Sequence, residues 1–164
     1  MATTLPGVVH EHHERIMSHV DRMPATGDLI GTAATDAVRA QLGELVTFLT
    51  GTLIPHVDTA EQTLYPELER ILQNAHSMTP MRREHAQIRR QVEELGLLRD
   101  AIADRPPTTR EAVALRRSVF GLYALLKVHL AEEALYLHIV EQGVTEEVSG
   151  VLAAAMEHPI APVS

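Results

Sequence analysis

Ten histidines stand in this chain beside many carboxylates and no cysteine. The lack of thiols removes disulfides, thiolate zinc sites, iron–sulfur clusters and cysteine nucleophiles together. Imidazole and carboxylate are left to do the chemistry, and neutral imidazole is the commonest protein metal ligand. Four histidines, His13, His56, His85 and His129, share a property: each occupies a place in a stripe of apolar residues recurring at steps of three and four. On a helix such steps define the face that turns inward. Four imidazoles on four inward faces would meet in one interior, where each unpaired ring costs roughly one to a few kcal/mol. A shared metal centre would satisfy them. Glu133 stands one turn after His129 on the same face and Glu61 lies near His56, and carboxylates alongside imidazoles are the ligand set suited to iron. A lone histidine on an apolar face is ordinarily a core residue bonded to a neighbour. Four of them on four helices, two followed by acids, is far more specific; the bland alternative is a polar core network in an ordinary bundle.

The elements that must position these residues are all helical. A first helix is expected from near Pro6 or Gly7 to before Pro24, with Val9, His13, Ile16, Val20 and Met23 on one face, followed by a loop from Pro24 to Gly31. The second carries Val38, Leu42, Leu45, Leu49, Thr52 and His56 and continues through Leu64, Leu68 and Ile71, with kinks expected at Pro55 and Pro66. The third begins after Thr79-Pro80, proline being favoured in a first turn. It carries Met81, His85, Ile88, Val92, Leu95 and Ile102, and stops at Asp104-Arg-Pro-Pro. A fourth starts at Thr108, whose spacing to Glu111 is that of a capping box, and runs through Leu115, Val119, Leu122, Leu126, His129, Glu133, Tyr136 and Val140. The fold class is therefore all-α: an antiparallel up-down-up-down four-helix bundle, with a short fifth helix from about Thr145 to Met156. We expect one domain over residues 1–158 and a mobile tail at 159–164.

Composition agrees with helices. Of 164 residues, 45% are hydrophobic but only 3% aromatic, so the core must be built from Leu, Val, Ile, Met and Ala. A formal charge of −8 argues against attraction to phosphate backbones and hence against nucleic-acid partners. No stretch approaches the roughly 18 apolar residues that cross a bilayer, and the N-terminus has no basic start before an apolar run. The expectation is a cytoplasmic protein with no membrane partner; the oligomeric state is not legible.

With these residues in view, the sequence resembles the hemerythrin-like family, also called the HHE cation-binding domain. The matching stretches are Glu11-His-His-Glu-Arg-Ile16, Leu53-Ile-Pro-His-Val-Asp-Thr-Ala-Glu-Gln-Thr-Leu-Tyr-Pro66, Arg83-Glu-His-Ala-Gln-Ile88 and His129-Leu-Ala-Glu-Glu133, within about residues 8 to 142. The resemblance implies two non-haem iron ions, bridged by oxygen and carboxylates, and reaction with dioxygen, peroxide or nitric oxide. Carried over residue by residue, it implies His13, His56, Glu61, His85, His129 and Glu133 as metal ligands. His13 is preferred to His12 because the family's ligand stands three before an apolar residue, here Ile16. Met81 stands where oxygen-carrying hemerythrins have another histidine, which counts against a simple reversible oxygen carrier.

The second-helix motif departs from the family's pattern. Its acid is expected four residues after His56, where this chain has Ala60, and Glu61 comes fifth. On a regular helix five residues turn about 140° past a full circle, so Glu61 needs a one-residue π-bulge after His56 to reach the same metal. Otherwise water or a tyrosine phenolate, Tyr65 or Tyr136, completes the shell. Asp58 is a weaker extra candidate. His10, His19, His76, His138 and His158 read as surface or loop residues, with His10 and His19 as outer partners of the ligands. The Arg pairs 82–83, 89–90 and 116–117 read as solvated helix faces.

Three functions follow. A redox protein would decompose peroxide or reduce nitric oxide at an open iron position. An oxygen- or iron-binding or sensing protein would hold its ligand without turnover. A structural site, for instance of zinc, would have closed coordination and no visible spectrum.

Overall fold

The structure is a computed structural model that describes the backbone of residues 5–143 and the side chains of residues 12–138. The fifth helix and tail expected beyond Gly143 lie outside the described residues. The first helix spans Leu5–Val20 and the third Thr79–Asp100, while the fourth spans Thr109–Gly143. The second long helix is continuous over residues 35–71 but is built in pieces: Thr35–Phe48, a π-turn at Leu49–Leu53, Ile54–Thr59, a second π-turn at Ala60–Leu64, and Tyr65–Ile71. The four long helices form the expected antiparallel bundle, and no described helix is long and apolar enough to cross a membrane.

Both π-turns have the same local cause. A proline inside a helix cannot donate to the carbonyl four residues back, and its ring collides with that carbonyl. Each π-turn ends two residues before a proline, at Leu53 before Pro55 and at Leu64 before Pro66, and widens the ladder there to five-residue bonds, Ile54 N–H to Leu49 O and Tyr65 N–H to Ala60 O. The helix thus passes both prolines without ending. Each turn also inserts one residue into the three-and-four rhythm. Thr52, expected on the inner stripe, is exposed, and fully buried Leu53 takes its place.

The segment Pro24 to Gly31, expected to be a loop, contains instead a short helix, Met23–Leu29. Pro24 sits in the first turn, where its missing donor is harmless. Gly27 is not a breaker but a contact point: a Cβ there would lie 2.7 Å from the Phe120 ring of the fourth helix. The chain leaves this helix two residues past Leu29, through Gly31, whose φ of +86° is the left-handed conformation that favours glycine.

At the start of the fourth helix the capping box forms as expected. The Thr108 amide donates to Glu111 Oε2 at 2.8 Å, and the Glu111 amide donates to Thr108 Oγ1 at 3.3 Å. Arg105 and the Thr108 donors hold the Glu111 carboxyl well below the usual range.

The apolar interior is divided. A larger cluster, including Ile16, Leu42, Leu53, Ile88, Leu122, Leu126 and Leu130, fills one part of the bundle. A smaller one made of Ala60, Leu64, Tyr65, Leu68, Met78, Met81 and Leu137 fills the other. On the second, third and fourth helices His56, His85 and Glu133 fall between residues of the two clusters, and buried His129 stands one turn before Glu133, so a polar layer crosses the core. If packing against the larger cluster holds the bundle, Leu126→Ala should lower unfolding free energy by about 2–5 kcal/mol. Leu97→Ala, at a position 67% exposed, should change it by less than about 0.5 kcal/mol. Denaturant midpoints of the two variants check this.

Candidate metal centre

The polar layer is buried. His85, His129 and Glu133 are 0% exposed and His56 3%. Glu133 lies at its centre and uses its two oxygens on different sides. Oε2 is 2.9 Å from His56 Nε2 and 3.1 Å from His13 Nε2. Oε1 accepts from the Tyr65 hydroxyl at 3.3 Å. That hydroxyl is also 3.0 Å from His85 Nε2, which in turn is 3.1 Å from His129 Nε2. Two triads result, His13, His56 and Glu133, and His85, His129 and Glu133, each with ligand atoms within 4.8 Å of one another.

Burial works against ionisation of Glu133, but the His56 and His13 imidazoles outweigh it and hold its carboxyl well below the usual range. Burial, followed by the neighbouring His129, lowers His85 to about 3, so its ring is neutral at pH 7. Burial also pushes the Tyr65 hydroxyl up, and the Glu133 carboxylate adds to the effect.

Behind the triads stand further carboxylates. Glu61 Oε1 is 2.9 Å from His85 Nδ1, and Glu84 Oε2 is 2.9 Å from His129 Nδ1. A carboxylate can only accept, so both Nδ1 atoms carry the proton and both Nε2 atoms present lone pairs inward. Two such lone pairs 3.1 Å apart repel each other. His13 Nε2 is fully buried and, despite its closeness to Glu133, lacks the alignment of a hydrogen bond. Ligand atoms crowded about 3 Å apart, with two inward lone pairs facing each other, suit metal bonds of about 2.0–2.2 Å. The residues therefore fit cations.

Each expected residue can be placed. His13, His56, His85, His129 and Glu133 converge. Glu61 falls outside both triads; the bulge spans Ala60–Leu64, so Glu61 lies within it rather than beyond it, and its carboxylate backs His85 from the outer side. Arg89 bridges Glu61, at 3.4 Å, and Asp58, at 2.6 Å. His12 is half-buried with its ring 5.1 Å from that of His56, and is lowered to about 4 by burial and by His56. His19 stacks on Phe48 with ring centroids 4.5 Å apart, and its Nδ1–H donates to the Arg15 carbonyl of its own helix at 3.0 Å rather than reaching a ligand. Tyr136 packs beside the smaller apolar cluster. The His10 side chain lies outside the described residues, as does His158.

Glu84 was not legible in the sequence. One residue before His85, it stands about 100° around the helix from the inner stripe, and its partner is on another helix.

The sequence profile of the Hemerythrin HHE cation binding domain matches residues 4–139. The chain belongs to this family. No curated protein and no solved structure matches it. As a hemerythrin HHE domain it is a cation-binding bundle, and its two histidine–glutamate triads are groups that could hold a metal ion.

Because Glu133 belongs to both triads and His13 to one, Glu133→Gln should reduce bound metal much more than His13→Ala. Elemental analysis of the loaded proteins measures this, and equal losses would contradict the shared role.

Proposed function

We propose that this chain is a non-haem di-iron protein that consumes hydrogen peroxide or nitric oxide, or reacts with dioxygen. The observation that carries the reading is the single buried carboxylate, Glu133, shared by two histidine triads. In this reading His13, His56 and Glu133 hold one iron, and His85, His129 and Glu133 the other. Bound iron would supply a ferrous–ferric couple and a position open to a small ligand.

The chain's own residues do the rest. Glu61 and Glu84 fix the ring orientation and tautomer of His85 and His129, leaving Nε2 of each free to ligate. The glutamate expected to ligate from the second helix thus acts here through His85. Complete burial of His85, His129 and Glu133 between two apolar clusters excludes bulk water and favours reactants of a few atoms. Tyr65 offers the layer a buried hydroxyl, on the Glu133 Oε1 side.

Purified protein loaded with iron should decompose hydrogen peroxide or consume nitric oxide over many turnovers, while metal-free protein and His129→Ala should not. Electrode traces of oxygen release and nitric oxide loss read this. Activity that survives removal of iron would sink the reading, and stoichiometric uptake without turnover would favour a binding or sensing role.

A further inference from the structure

We propose that Tyr65 is itself a metal ligand, joining His85, His129 and Glu133 as a phenolate at the second position. The inference rests on the di-iron reading and adds a donor of a different chemical class. Tyr65 is 0% exposed, and its hydroxyl lies 3.0 Å from His85 Nε2 and 3.3 Å from Glu133 Oε1. Those separations match the 3.1 Å between the His85 and His129 Nε2 atoms. The hydroxyl therefore occupies the same small volume as atoms already identified as donors, and it does so from a ring stacked on His85 with centroids 5.1 Å apart.

Local backbone geometry explains how the ring arrives there. Tyr65 follows His56 by nine residues, and on a regular helix it would stand about 180° away, on the outer face. The π-turn at Ala60–Leu64 ends immediately before it. One inserted residue removes about 100° from the count, leaving Tyr65 about 80° from His56 and turned toward the third helix. The same insertion brings Leu64 and Leu68 to within about 20° of His56, and both are buried. The bulge thus aims Tyr65 into the layer, while Ala60, with no donor, fills the buried place where an acid was expected. Arg82 lies 5.4 Å over the outer face of the ring and bonds Glu69 at 3.0 Å, which holds the ring from behind.

One Tyr65 proton cannot serve both His85 Nε2 and Glu133 Oε1, since each accepts and the hydroxyl donates once. Ligation resolves the conflict. The O–H bond is exchanged for an oxygen–metal bond, the proton leaves to bulk water, and no oxidation state changes in that step.

The test is spectroscopic and uses the whole chain loaded with ferric iron. A phenolate bound to ferric iron gives a visible charge-transfer band, and excitation into that band enhances ring vibrations in the resonance Raman spectrum. Parent protein should show both, Tyr123→Phe, at a tyrosine packed against the larger apolar cluster, should keep them, and Tyr65→Phe should lose them while retaining bound iron. Parent protein that binds two irons without these ring vibrations would overturn the assignment and leave the di-iron reading standing. A Tyr65→Phe protein that keeps the band would overturn it as well. A chain that takes up no iron would contradict both.

Discussion

An ionised carboxylate in the middle of an apolar bundle is the constraint on which the rest of this structure depends. Glu133 has no exposure to water, and a buried anion is expensive unless charge and hydrogen-bond partners surround it. Its direct partners, His13, His56 and Tyr65, come from the first and second helices, and His85 and His129 of the third and fourth helices place ligand atoms within 4.8 Å of it. Remove the carboxylate and the histidines lose the group that connects them. Remove the histidines and the carboxylate is stranded. The arrangement is consistent only as a unit, and in the di-iron reading a cation at each end of the carboxylate would satisfy the inward lone pairs, for which the Tyr65 hydroxyl offers a single proton.

That unit divides the core and reshapes one helix. A continuous apolar interior would have been simpler to pack, but the polar layer separates two clusters. The second helix departs from α geometry at Leu49–Leu53 and again at Ala60–Leu64, flanking the segment that carries His56. Prolines at 55 and 66 make the α ladder unfavourable at both points, and the π-turns convert that local conflict into a change of phase. Outside the layer, carboxylates from the second and third helices, Glu61 and Glu84, fix the two histidines that lack contact with Glu133 Oε2. Among the described residues Nδ1 of His56 has no such partner, so within them the two triads are chemically unequal.

How much of this was legible in the sequence follows from which residues obey a regular period. His13, His56, His85, His129 and Glu133 could be grouped because each lies in phase with buried leucines or isoleucines of its own helix. Glu61 and Tyr65 could not be placed by the same rule, because the inserted residue at Ala60–Leu64 shifts every angle after it. Thr52 failed for the same reason at the earlier π-turn. Glu84 was invisible because its role is set by another helix, and period carries no information across helices. Pro24 and Gly27 suggested a loop, yet Pro24 is harmless in a first turn and Gly27 is there to admit the Phe120 ring.

The central claim is that one carboxylate joins two metal ions. X-ray absorption at the iron edge of fully loaded protein tests it most directly, because it reads metal neighbours without depending on any variant or on turnover. The account predicts iron–iron scattering at about 3.5–4 Å, the usual separation in two-metal sites, together with nitrogen and oxygen ligands only. Isolated iron with no metal neighbour at full loading would contradict it.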